Sequence, residues 1–424
     1  MKKILPSERI SNEICELLSA GTSSHEDLLS VLVRQSFKKM VQEILEQEIR
    51  DYLGRDYFER KVEKTNPGHR NGYENRSVKT AEGKIDIEMP QLRNTAKPYR
   101  SELFKHIKTR SAELERLVTE MYVRGLSTRD IEETLKDDAG HSFISKSGVS
   151  EITASLSEEH SRFCQRDLSG FDVVYLFVDG IYENVRLQLK AKEAIFCAWA
   201  ILANGRKVLL HLDLGQKESY ECWKDFFRNM TARGLRMPLL VVSDGAPGLI
   251  RAITECFPKS KRQRCLVHKL RNISNKLPKD VASQVMPEIK NVYYQTNKEV
   301  AMLCATSVVE KFAAEYPSAI KCFEEDLECC LNHIDFPMGH HKHIRTTNLI
   351  ERAFAEQRRR TKVIPGFHSE KSCLKLVYAT LIRVSEKWRR VEMSAHDLAL
   401  LKNIRKIYAP ENQQDQFISM KLAA

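Results

Sequence analysis

No run of apolar residues in this chain approaches the roughly twenty needed to cross a bilayer as a helix, which excludes a helical membrane protein. The opening Met-Lys-Lys-Ile-Leu gives way at once to Pro6, Ser7 and charges, so the apolar core of a secretory signal is missing as well. Low-complexity tracts and internal repeats are absent, which excludes a solenoid or a disordered tether. Eleven cysteines follow no regular spacing, and a chain of 424 residues has no need of stapling, so reduced thiols are expected in place of a disulfide framework. These absences predict a soluble cytoplasmic protein of about two to four domains with at least one sizeable core.

Positive charge is present and unevenly spread. The chain carries a net +11, yet residues 251–276 hold eight Lys or Arg against one acid and residues 342–362 hold seven against two, leaving the remainder near neutral. Two local basic stretches predict a track for a polyanion.

Apolar residues recur at helical spacing from Ile14 to Ile49, up to Gly54. Residues 64–76 then read as a turn-rich basic loop around Pro67-Gly68-His69-Arg70-Asn71-Gly72, either touching phosphates or simply solvated, and residues 84–89 alternate like a short strand before Pro90. From Ser111 the helical period returns. Ser127 or Thr128 can cap a helix running to Leu135, and Ser145 or Ser147 a second holding Val149, Ile152 and Leu156. This pair reads as a helix-turn-helix or as an ordinary helical hairpin.

The stretch that organises the rest is Val-Val-Tyr-Leu-Phe-Val-Asp-Gly at 173–180, a strand buried on both faces that is expected to break at Asp179-Gly180. Residues 182–189, 194–202 and 208–214 read as further strands joined by short turns, and residues 219–233 as a helix with Trp223, Phe226, Phe227 and Met230 on one face. Residues 239–242 form a second apolar strand, again followed by an acid and a glycine at Asp244-Gly245. Either acid alone can simply open a turn. If the two strands pair in one sheet, however, their ends stand about 5 Å apart and both carboxylates reach the same ion. Like charges so close repel unless a cation lies between them, and a divalent metal on such a site suits phosphoryl transfer.

A third acid is offered by Arg345-Thr-Thr-Asn-Leu-Ile-Glu351, at the start of a helix capped by Thr347 or Asn348. Asn348 and Glu351 also have the spacing of a capping box, in which the glutamate only closes the helix start. The following Arg358, Arg359, Arg360 and Lys362 favour a helix that meets a metal and a phosphate backbone together.

These stretches resemble the Mutator-type transposases of bacterial insertion sequences. The matching segments are Gly125-Leu-Ser-Thr-Arg-Asp-Ile131, Val178-Asp-Gly-Ile-Tyr182, Arg233-Gly-Leu235, Ser243-Asp-Gly-Ala-Pro-Gly-Leu249, Gln263-Arg-Cys-Leu-Val-His-Lys-Leu-Arg-Asn-Ile273, and Thr346-Thr-Asn-Leu-Ile-Glu351 through Arg359-Arg-Thr-Lys362. The resemblance implies an α/β, ribonuclease-H-like catalytic core (residues 169–277 and 341–400) interrupted by an all-helical insertion (278–340). Before it stand a mostly helical DNA-binding region (1–110) and a helix-turn-helix-like region (111–168), and a tail (401–424) follows. It implies a DDE transposase that binds terminal inverted repeats and target DNA and acts as a homodimer or larger oligomer near the bacterial nucleoid. Asp179, Asp244 and Glu351 would hold Mg2+, with Mn2+ able to substitute. Arg264, Lys269, Arg271, Arg358, Arg359, Arg360 and Lys362 are expected on DNA. The chain departs from the family pattern at Phe354-Ala355, where an asparagine is usual, and at Pro90-Gln91-Leu92-Arg93. Two other classes stay open: a structure-selective nuclease on the same core, and a non-catalytic helix-turn-helix DNA-binding protein.

Cys265-Leu-Val-His268 has metal-ligand spacing, and Cys330-Leu-Asn-His333 repeats it, so a four-ligand zinc site is arithmetically available. Against this, Cys265 sits in an apolar run that reads as a strand, where buried free cysteines are common. In the resembling family the first pair lies beside the active site, which gives His268 a role in orienting that site or touching the scissile phosphate.

Overall fold

The computed structural model describes residues 4–20, 27–60, 68–136, 140–185, 191–215, 217–362, 364, 367 and 369–408. Residues 64–67 of the expected basic loop, 186–189 of an expected strand and 409–424 of the expected tail lie outside them. The chain divides into two units, Met1–Ser155 and Leu156–Ala424.

In the first unit the N-terminal periodicity yields two helices, Pro6–Ala20 and Leu28–Leu53, the second capped by Asp27. Val41 and Leu45 of the second pack on Val78, Ile85, Ile87 and Met89 of a hairpin made by β1 (His69–Thr80) and β2 (Gly83–Arg93). Buried Gln42 donates to the Glu88 carbonyl and accepts the Glu88 N–H, satisfying the β2 backbone as a further strand would. The stretch expected as a loop is thus strand from His69 onward. Its Asn71-Gly72 signal marks a bulge, where pairing shifts between Arg70 and Tyr73.

Three short helices follow, Ala112–Val123, Thr128–Thr134 and Lys146–Ile152, each begun by a serine whose hydroxyl accepts a backbone N–H: Ser111, Ser127 and Ser145. Leu114, Val118, Ile131, Phe143, Val149 and Ile152 form their common core. Spacing placed Leu156 in the third of these helices, but it lies outside it. Thr153 ends that helix, and Leu156 belongs to the next, Ser155–Gln165.

The second unit is mixed α/β, built on a five-stranded sheet of order β5-β4-β3-β6-β7. The strands are β3 (Val173–Val185), β4 (Ala191–Leu202), β5 (Lys207–Gly215), β6 (Leu240–Ser243) and β7 (Lys261–Arg264). β3, β4 and β5 are antiparallel, as the short turns imply, while β6 pairs in parallel with both β3 and β7. Gly205, in the turn between β4 and β5, has φ +76°, and a Cβ there would stand 2.0 Å from the Val391 carbonyl oxygen.

One correction bears on the site. β3 does not break at Asp179-Gly180, because β4 pairs with it from Val173 opposite Leu202 to Val185 opposite Ala191. The break exists only along the other edge, where β6 pairs Leu240 with Tyr175 and Val242 with Phe177 and then parts from β3.

One face of the sheet buries Leu176, Val178, Phe196, Leu210 and Val241 against Trp223, Phe227, Leu249 and Ile253 of helices Tyr220–Ala232 and Pro247–Cys256. On the other face the Tyr175 ring meets Phe336 and His340, with its hydroxyl 2.7 Å from His340 Nδ1, and Trp199 meets Trp388. Each such buried ring contributes about 1.5–3 kcal/mol. Helices Lys279–Tyr293, Lys298–Phe312, Pro317–Glu324 and Leu327–Leu331 form a separate apolar cluster that also takes in Leu266 and Ile273 of helix Leu266–Ser274. The chain then returns to the sheet through helices Asn348–Thr361 and Glu370–Glu386. Among the described residues no helix is long and apolar enough to cross a membrane.

Candidate active site

Asp179 and Asp244 each stand two residues beyond Phe177 and Val242, the last pair between β3 and β6. Asp179 Oδ1 accepts the Gly180 N–H at 2.9 Å and Asp244 Oδ1 accepts the Ala246 N–H at 3.1 Å, so each carboxylate is oriented by the backbone that follows it. Burial, and then the charge of Asp244, push the Asp179 carboxyl up to about 7. Two acids made by adjacent strands therefore crowd one another.

The third acid arrives by a different route. Cys265 is not in a strand, as its apolar neighbours suggested, but caps helix Leu266–Ser274 immediately after β7. Its N–H donates to the Ser243 carbonyl at the end of β6, and the next N–H, of Leu266, donates to the Arg345 carbonyl. Its buried sulfur accepts the Thr347 N–H at 3.3 Å and the Thr347 hydroxyl at 3.2 Å. These bonds pin the start of helix Asn348–Thr361 to the segment that follows the second acid. Burial works against ionisation of this thiol, yet His268 and Thr347 hold it below its ordinary value.

Thr347 caps the helix with no side-chain capping bond, so Asn348 and Glu351 do not form the capping box that their spacing allows. Glu351 is left to face the site, its Oε1 3.5 Å from His268 Nε2 and without a hydrogen-bond partner. The Cys265 sulfur beside it, then Asp179 and Glu351, raise the His268 imidazole to about 9. His268 thus lies within the fields of the first and third acids together.

Among the described residues, the group of donor atoms lying within 4.8 Å of one another is that of Cys265, His268 and Glu351. Cys330 and His333 are not in it. Both are buried, with His333 Nδ1 3.1 Å from the Cys330 carbonyl and the His333 N–H donating to Gln263 Oε1, so the four-ligand zinc arrangement is not assembled. Asp179 and Asp244 are not in this group either, so the three acids do not converge within that distance, and the donors that do are one thiol, one imidazole and the Glu351 carboxylate.

The model for the family described as "Transposase, Mutator family" matches residues 11–391. The chain belongs to this family. It is 34% identical over 357 residues to the transposase for insertion sequence element ISRM5 of Rhizobium meliloti (strain 1021), covering 84% of this chain and 88% of the relative. It is 36% identical over 286 residues to the transposase for IS6120 of Mycolicibacterium smegmatis (66% and 87%), and 28% identical over 349 residues to the transposase for IS256 in transposon Tn4001 of Staphylococcus aureus (82% and 88%).

The basic residues expected on DNA divide sharply in this family member. Arg271, Arg358, Arg359 and Lys362 are exposed, Arg360 partly so, with Arg359 and Arg360 paired to Glu356. Arg264 and Lys269 are buried instead. Lys269 Nζ donates to the Glu325 carbonyl, and the Arg264 guanidinium lies over Gly245, where a Cβ would stand 1.0 Å from one of its nitrogens. The departure at Phe354 is absorbed by the core, where that ring is buried.

Sequence reading missed two further acids. Glu183, on β3, accepts from Gln357 Nε2 at 2.6 Å and from the Thr361 hydroxyl at 3.0 Å, tying the helix of the third acid to the strand of the first. Glu218, in the loop before helix Tyr220–Ala232, lies over Gly180, and burial and Asp244 raise its carboxyl. Neither stands in a run whose pattern singles it out.

Proposed function

We propose that this chain is the transposase of an insertion sequence, binding the terminal inverted repeats of its element and carrying out metal-dependent strand cleavage and strand transfer on a ribonuclease-H-like core. The observation that carries this reading is that Asp179 and Asp244 each follow the last pair of two parallel strands by two residues, while Glu351 stands beside His268, which feels the charge of Asp179. Asp179, Asp244 and Glu351 would hold Mg2+ or Mn2+. When bound, such ions activate the attacking oxygen and stabilise the leaving oxygen in an in-line displacement. His268, whose Nε2 stands 3.5 Å from Glu351 Oε1, would orient the site or touch the scissile phosphate. Arg271, Arg358, Arg359, Arg360 and Lys362 offer cations to the DNA backbone, and the serine-capped helices from Ala112 to Ile152 offer a helix-turn-helix to the repeats. Cutting and joining two ends favours a dimer or larger assembly.

Asp179→Asn is expected to keep end binding in a mobility-shift assay while strand cleavage in Mg2+ disappears; retained cleavage rejects the assignment. Incubating the protein with a 3′-hydroxyl donor end and a plasmid separates the transposase from a structure-selective nuclease, since only the transposase yields joined product. A non-catalytic DNA-binding protein would work without metal and tolerate loss of all three acids.

A further inference from the structure

Gly180 lies on the opposite face of β3 from Asp179, the face that holds Leu176 and Val178 and on which helix Tyr220–Ala232 packs. The loop leading into that helix carries Glu218, and its Oε1 would stand 2.5 Å from a Cβ at position 180. Any side chain there would displace it. The glycine of the first Asp-Gly pair is therefore a gap into which a carboxylate from the neighbouring face reaches beside Asp179, whose Oδ1 accepts the Gly180 N–H at 2.9 Å, and the charge of Asp244 acts on it as well. The Tyr182 hydroxyl is bonded to the backbone of Glu218, and Ser219 next to it is fixed as the helix cap, its hydroxyl accepting the Cys222 N–H at 3.3 Å. An acid held so close to two like charges is costly unless a cation joins them.

We propose that Glu218 is a fourth carboxylate of the divalent-metal centre, completing with Asp179 and Asp244 the side of the site that Glu351 does not face. The proposal rests on the transposase reading above and adds to it a ligand from the loop before helix Tyr220–Ala232. In this arrangement Gly180 is required so that Glu218 can reach the ion, and the strand itself tolerates a side chain.

The test is Mn2+ binding to the full-length chain by titration calorimetry, with melting temperatures recorded with and without Mn2+. Glu218→Gln is expected to bind Mn2+ about tenfold more weakly or worse. Without metal it should melt higher than the wild type, because one of the repelling charges is gone. Gly180→Ala, which leaves every acid in place, should lose a similar share of the affinity. Asp179→Asn serves as reference. If Asp179→Asn abolishes Mn2+ binding while Glu218→Gln and Gly180→Ala bind as the wild type does, Glu218 is not a ligand and the three-acid reading stands. If Asp179→Asn also binds normally, the metal reading itself fails. A Glu218→Gln protein that melts lower without metal would make Glu218 a structural residue and overturn the proposal.

Discussion

The chain contains two Asp-Gly pairs, the first inside β3 and the second just after β6, and their surroundings are opposite in charge. At Asp179-Gly180 the space vacated by the missing side chain is filled by the carboxylate of Glu218; at Asp244-Gly245 it is filled by the guanidinium of Arg264, which is 7% exposed and has its Nε and one terminal nitrogen unbonded. The local sequence is the same in both places. What fills the gap depends on which neighbouring element passes over it: a loop entering a helix on one face in the first case, the last residue of the adjoining strand β7 in the second. A short motif therefore specifies a carboxylate beside a space, and leaves the sign of the neighbouring charge to the packing.

Several measurements would sharpen or break this contrast. The largest effect is expected from the acids themselves: Asp244→Asn, like Asp179→Asn, should reduce strand cleavage in Mg2+ to background, and a variant of one that cleaves normally while the other does not would show that the two positions are not partners. Gly245→Ala should cost about 1–3 kcal/mol in denaturant unfolding, because the guanidinium it would displace belongs to a buried arginine, Arg264. Gly180→Ala should leave unfolding nearly unchanged, its neighbour being the movable end of Glu218; equal destabilisation by the two glycine variants would erase the distinction drawn here.

Acid should weaken the second unit through residues remote from either pair. Burial holds His211 down to about 3 and His333 to about 4, against about 6.5 in an unfolded chain. The unfolded state then binds more protons below pH 6.5, so stability is full above that value and falls as pH drops toward the folded values, by about 1.4 kcal/mol per pH unit for each histidine. Unfolding curves between pH 7 and 4.5 test this, and His211→Gln should flatten the decline. The smallest effect is expected on the surface. Changing Arg358, Arg359 and Arg360 to alanine should lower the slope of log K against log salt for DNA by up to about 0.9 per residue, with Arg358 contributing most because the other two already pair with Glu356.

Much of the architecture was legible in residue order. Serine caps at 127 and 145, the aromatic face at Trp223, Phe226, Phe227 and Met230, and the apolar strands at 173–178 and 239–242 all announce themselves, because caps and periodicity are local properties. Readings failed where a distant partner decided the outcome. β3 continues through Asp179-Gly180 because β4 hydrogen-bonds to it there, and Asn71-Gly72 bulges a strand because β2 holds both sides of it. Cys265 leaves the strand to become a helix cap and an acceptor for Thr347, a residue 82 positions away. Arg264 and Lys269 looked like part of a DNA track by charge count, yet both point inward.

The sequence by itself determined that this is a Mutator-family chain with two strand-end aspartates and a glutamate at the head of a basic helix, since motif order and strand composition are written along one dimension. The tertiary structure alone decided that Asp179 lies in the field of Asp244, that Glu351 comes in beside His268 on a clamp made by Cys265 and Thr347, and that the Glu218 carboxylate lies over Gly180. Those encounters depend on parallel register and on elements crossing from opposite faces of a sheet, distances that no local pattern of residues encodes.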